Sequence, residues 1–132
     1  MNYPFNKSIY RNYDYPVDDI RLTDIYSVSS DSNRLTALAD NCFKGFSNLS
    51  SAYFQGVIDI GYNVFNGCRN LRYLNCPNVL SVGPTAFSGV SVDVLDFPKL
   101  ECVYESTFES LTANTVSLKS IKSMPRLSFF RS

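Results

Sequence analysis

The chain has 132 residues, 45% of them hydrophobic and 18% charged, a length that suits one domain and a composition ordinary for a globular fold. Its 12 basic and 12 acidic residues cancel to a formal net charge of zero, which removes the electrostatic footprint of a general nucleic-acid binder. There is no histidine, so Ser-His-Asp and Cys-His catalysis are excluded, and no apolar run approaches the roughly 20 residues needed to cross a bilayer.

The N-terminal stretch MNYPFNKSIYRNYDYP lacks the basic, apolar, small order of a signal peptide. The expectation is an intracellular or virion-associated protein, unless a leader was removed. Residues 1–27 carry Tyr3, Phe5, Tyr10, Tyr13, Tyr15 and Tyr26 among prolines and aspartates, with no helical period. They read as an aromatic cap over the open end of the fold built by the rest of the chain, or as an arm that docks on another chain. Tyr3, Phe5, Tyr10 and Tyr13 are the candidate contacts in that segment.

From Leu35 onward the chain repeats itself. The numbers of Phe43, Phe65, Phe87 and Phe108 differ by 22, 22 and 21. Two residues beyond each lie Gly45, Gly67, Gly89 and Ser110; five before lie Leu38, Ile60, Val82 and Val103; eight before lie Leu35, Val57, Val79 and Leu100. The stretches LSSAYF (49–54), LRYLNC (71–76), VDVLDF (92–97) and ANTVSL (113–118) keep the same step and the same apolar-x-x-apolar-x-apolar pattern. Ile25 and Val28, with Leu35 and Leu38, fit an irregular first coil.

The period-two end of that pattern suits a short strand with alternate side chains inward. The apolar residues at steps of three then turn the chain back under the core, the Phe fills the far side, and the Gly after it allows a bend with positive φ. One such coil cannot bury its own apolar face, but a stack of them can, with the strands in a parallel ladder about 4.8 Å apart. The fold class expected is a repeat solenoid, mostly β, a right-handed coil with a parallel strand ladder and irregular or short helical corners on the convex side. The solenoid is placed at positions 28–124, as four to five coils of roughly 21–23 residues each, a length within the leucine-rich-repeat range. Positions 125–132 form a C-terminal tail or cap.

The stretches LRYLNCPNVLSVGPTAFSGV (71–90) and IDIGYNVFNGCRNL (58–71) carry the resemblance that names this pattern. They resemble leucine-rich repeats of the BspA type, over about positions 35–121, with Pro77 and the Gly67–Cys68 pair in family positions. The chain departs from the family at Ala52, small where Leu is usual, and like this sub-type it lacks the asparagine ladder of other leucine-rich repeats. The resemblance implies a non-catalytic protein-binding module, similar to surface proteins that attach to host or extracellular-matrix proteins. The alternative is a structural component of a larger assembly, docked through its aromatic ends.

Cys42, Cys68, Cys76 and Cys102 form no C-x-x-C pair and read as small buried or half-buried hydrophobes, with no metal or cofactor expected. Between the inward residues lie Ser51, Tyr53 and Gln55; Arg72, Tyr73 and Asn75; Asp93, Val94 and Asp96; Thr115, Ser117 and Lys119. In a solenoid these line one face, with Tyr53 and Tyr73 on adjacent strands, and that face is the candidate protein-binding surface. The tail SMPRLSFFRS ends in Phe129 and Phe130, candidate end contacts that either fold back over the last strand or meet a second chain.

Overall fold

The computed structural model describes residues 25–123. Among the described residues nine short strands, β1 (Ser27–Ser30), β2 (Ala37–Leu38), β3 (Ser51–Phe54), β4 (Asp59–Ile60), β5 (Tyr73–Asn75), β6 (Ser81–Val82), β7 (Ser91–Asp96), β8 (Cys102–Val103) and β9 (Thr112–Ser117), wind into a stack of coils. All pairings among these strands are parallel. One ladder runs β1-β3-β5, a second runs β2-β4-β6-β8, and β7 pairs with β9. Among the described residues there is no helix; the corners are turns, which settles the expectation of irregular or short helical corners in favour of the irregular form.

The ladder registers reproduce the sequence repeat. Ala37, Asp59, Ser81 and Cys102 stand side by side, as do Leu38, Ile60, Val82 and Val103, which are buried. On the other ladder Ala52 lies beside Val28 and Leu74. The coils are also joined at the corners, where the N–H of one coil donates to the C=O of the next: Asn41 to Tyr62 (2.9 Å), Phe65 to Ala86 (2.8 Å) and Phe87 to Thr107 (2.9 Å). Polar backbone buried between coils is thereby satisfied on both the strands and the corners, as a dry core requires. Two asparagines also clip neighbouring coils, Asn70 Nδ2 to Ser47 C=O and Asn78 Nδ2 to Gln55 C=O, both at 2.8 Å. They stand at different phases of the repeat and so form no ladder.

The repeated phenylalanines form one buried column. Phe43, Phe65, Phe87 and Phe108 stack with centroids 5.7, 5.3 and 6.0 Å apart and planes within 24°. Phe54 and Phe97 reach the same column from the strand side, at 5.8 Å from Phe43 and 5.6 Å from Phe87. Such ring pairs contribute about 0.5–1.5 kcal/mol each beyond the area they bury. The stack is continuous, so each ring covers the face that its neighbour would otherwise leave open.

Each corner needs two left-handed residues. The bend after the Phe is held by Gly45, Gly67 and Gly89 at φ of 86°, 87° and 74°, and by Ser110 at 58°. The bend before it is held by Asn41, Asn63, Thr85 and Ser106 at φ of 66°, 60°, 57° and 60°. This second column shows only faintly in the sequence, because Thr and Ser are unusual at positive φ. A further buried column, Phe46, Cys68, Val90 and Leu111, lies three residues past each Phe and shares no residue type between coils.

The first glycine of the repeated phrase has a different cause. A Cβ at Gly83 would lie 2.8 Å from Gly61 C and 2.8 Å from Tyr62 N, so backbone packs on backbone between coils. The fourth coil has Tyr104 at this phase. There the buried Thr107 Oγ1 accepts from the Tyr104 N–H at 3.1 Å, and lies 3.1 Å from the Gly83 carbonyl oxygen.

Two expectations are corrected. Val116 occupies an inward position of the repeat yet is 45% exposed, because β9 is the last strand of its ladder among the described residues. Cys102 is exposed rather than buried, because it precedes the inward Val103 and faces out of the second ladder beside Ser81.

Candidate protein-binding face

The strand ladder determines which side chains meet outside the core. In β3 the inward residues are Ala52 and Phe54, which leaves Ser51, Tyr53 and Gln55 facing out and half-buried. In the next coil Arg72, Tyr73 and Asn75 face out. In β7, Val92 and Leu95 are buried, so Asp93, Val94 and Asp96 face out. The register sets Ser51 beside Tyr73 and Tyr53 beside Asn75, so the two tyrosines sit diagonally on adjacent strands.

These residues surround one shallow groove. Ser51, Tyr53, Arg72, Tyr73, Asn75, Asp93, Val94 and Asp96 line it, with Pro77 and Pro98 at the ends of the strands, around a volume of about 630 Å3. Gln55 and Lys119, named with the same face in the sequence, do not line it. Gln55 instead supports it: the Tyr53 hydroxyl donates to Gln55 Oε1 at 2.8 Å, which fixes the ring. Lys119, Thr115 and Ser117 belong to the following coil. Pro77 and Pro98 directly follow LRYLNC and VDVLDF, whereas Gln55 and Lys119 stand at the same phase after LSSAYF and ANTVSL. Tyr3, Phe5, Tyr10, Tyr13, Phe129 and Phe130 lie outside the described residues.

The groove crosses a seam. The ladder β1-β3-β5 ends at β5, and the next strand, β7, pairs with β9 instead. Across the seam the Asp93 N–H donates to the Arg72 carbonyl at 3.3 Å, and the two side chains form a loose ion pair at 3.9 Å. Both side chains are well exposed, so the pair adds little to stability. It does place a cation and an anion side by side at the centre of the groove, next to Tyr73, which is 63% exposed. Among the described residues no three His, Cys, Asp or Glu side chains come together as a metal site requires.

Cys68 and Cys76 are buried thiols. Burial pushes the thiols of Cys68 and Cys76 up to about 12, against a smaller lowering effect of backbone hydrogen bonds from Phe46 and Phe54. The Cys68 S–H also faces the Phe43 carbonyl oxygen at 3.3 Å. A thiol with a raised pKa in the folded chain keeps its proton at a pH where the unfolded chain has lost it. Its contribution is therefore complete below about 9 and is lost as pH rises towards 12. Stability is expected to fall by about 1.4 kcal/mol per pH unit per thiol over that range. Denaturant melts at pH 8 and 10.5, repeated on Cys68→Ala/Cys76→Ala, check this. The loss should shrink in the double variant.

The deciding comparison concerns the repeat itself. The family of the BspA type leucine-rich repeat region matches the chain in six copies, over residues 18–93 and 36–132. The chain belongs to the BspA type leucine-rich repeat family. No curated protein and no solved structure matches it. The BspA-type coil explains the stacked phenylalanines, the parallel ladders and the turn-built corners described above. Leucine-rich repeats commonly mediate protein interactions and are generally non-catalytic, and for the BspA type the family suggests a protein-binding or adhesion module.

Proposed function

We propose that this chain is a non-catalytic binding module that takes a protein ligand on its strand face, across the groove framed by Tyr53, Arg72, Tyr73, Asn75, Asp93 and Asp96. The observation that carries this reading is the division of labour between columns. The apolar columns that recur from coil to coil are largely buried, whereas the outward strand residues differ from coil to coil, and those of β3, β5 and β7 meet around one groove. Tyrosine and arginine are the side chains most often found at the centre of binding surfaces. The groove holds two of the first and one of the second. By analogy with the family, the ligand is a host or extracellular-matrix protein.

A solid-phase assay against purified extracellular-matrix proteins tests this. Tyr53→Ala/Tyr73→Ala is expected to lower affinity at least about 30-fold, as loss of central aromatic contacts does. Surface substitutions of this kind shift folding stability by only about 0.5 kcal/mol each, so the denaturation midpoint should move little. Undiminished binding by the double variant would overturn the reading.

A further inference from the structure

The groove is lined by one cation and two carboxylates, and two of these answer each other. Arg72 faces Asp93 at 3.9 Å. The other carboxylate, Asp96, is exposed at the end of β7. Among the described residues the ion pairs within 4 Å are Arg72–Asp93 and Lys122–Glu101, so none of them gives Asp96 a cation.

A chain of hydrogen bonds explains why Asp96 is left over. Lys99 stands three residues on, but its ammonium donates to Asn78 Oδ1 at 2.7 Å. Asn78 Nδ2 in turn donates to the Gln55 carbonyl, and Gln55 Oε1 accepts from the Tyr53 hydroxyl, both at 2.8 Å. The Lys99 charge is thereby held on Asn78, and the Tyr53 proton is used inside the protein. The Tyr53 oxygen is left to the groove as an acceptor.

The apolar part of the groove adjoins the unanswered carboxylate. Val94 is exposed two residues before Asp96, with the buried Leu95 between them, so both project outward. Tyr73 stands one repeat step before Val94 and is exposed beside it. Lysine and arginine combine an apolar stem with a cationic head, and the head is also drawn to an aromatic face. An acidic side chain would instead meet a like charge.

We propose that the protein ligand enters the groove with a lysine or arginine side chain, its charge on Asp96 and its stem across Val94 and Tyr73. This assignment rests on the groove being the binding face.

A short capped peptide with lysine between two leucines, and its norleucine and glutamate counterparts, test this by titration into the isotope-labelled chain. The lysine peptide is expected to shift the backbone amide signals of Tyr73, Val94 and Asp96. It should bind about threefold tighter than the norleucine peptide, the scale of an exposed ion pair, and the glutamate peptide should bind most weakly. Salt should reduce the preference for lysine. Asp96→Asn should abolish that preference. Asp59→Asn should retain it, because Asp59 lies on the second ladder, where it accepts from the Ser81 hydroxyl at 2.6 Å. Lysine and norleucine peptides of equal affinity, a lysine preference that survives Asp96→Asn, or no shift at the three amides would each overturn the proposal. Loss of matrix-protein binding in Tyr53→Ala/Tyr73→Ala, alongside any of those results, would leave the binding face standing and remove only the basic side chain.

Discussion

Phe65→Ala is expected to destabilise the chain by about 4 kcal/mol, within the range of about 3–5 kcal/mol for losing a core phenylalanine. Its ring is fully buried and lies between two others, Phe43 at 5.7 Å and Phe87 at 5.3 Å. Removing it takes away two stacking contacts and leaves a cavity that Phe43 and Phe87 cannot fill, because their own backbones are fixed by the corner hydrogen bonds. A solenoid coil contacts only its neighbours, so a defect in the middle weakens the coupling between the two halves of the stack. Small domains have total stabilities of about 5–15 kcal/mol, so this loss is a large fraction of the whole. Equilibrium urea unfolding checks it, and a loss below about 1.5 kcal/mol, too small for a core phenylalanine, would show that the column is not the core of the fold.

Gly83→Ala is expected to cost about 2–3 kcal/mol, the upper part of the range for overpacking. The added methyl group meets Gly61 C and Tyr62 N at 2.8 Å, and both are backbone atoms that no rotamer change moves aside. Coils two and three would have to separate, which lengthens the Gly83 N–H to Ile60 carbonyl bond, now 2.8 Å. Gly89→Ala provides the contrast. Its φ is +74°, but an added Cβ meets nothing within 4 Å, so only the left-handed backbone penalty of about 1–2 kcal/mol applies. Thermal melts of the two variants should rank Gly83→Ala as the less stable. The reverse order would mean that turn conformation, and not the spacing between coils, governs this part of the repeat.

The pair of glycines in IGYNVFNGC and VGPTAFSGV therefore serves two physical ends, and the sequence displays only one of them. A glycine two residues past a recurring Phe suggests a turn, and the positive φ values at Gly67 and Gly89 agree. The close approach at Gly83 depends on where the neighbouring coil lies, which no local pattern records. The buried columns of Phe, Leu, Ile and Val were readable because each recurs at a near-constant step with one kind of side chain. The column of Phe46, Cys68, Val90 and Leu111 was not, because its members share only burial.

The outward face was readable as a set of positions, since alternation along a strand dictates which side chains leave the core. Its shape was not. The groove exists where the ladder changes partners between β5 and β7, and nothing in LRYLNC or VDVLDF announces that break. Gln55 illustrates the same limit: its position on the face follows from its phase, but its role as acceptor for the Tyr53 hydroxyl follows from three-dimensional placement. Val116 and Cys102 departed from expectation for an end effect and for a one-residue phase difference, respectively.

The central claim is that ligand binding belongs to the coil-specific strand face rather than to exposed aromatic residues in general. Tyr62 and Tyr104 are exposed at 45% and 49%, at and beside the corner turns and away from the groove, and so provide the matched control. The direct measurement is the affinity of the intact chain, of Tyr53→Ala/Tyr73→Ala and of Tyr62→Ala/Tyr104→Ala for the same immobilised matrix protein. Loss of binding in the first pair with retention in the second is the expected result. Loss in the second pair with retention in the first would contradict the account and move the binding site to the corners.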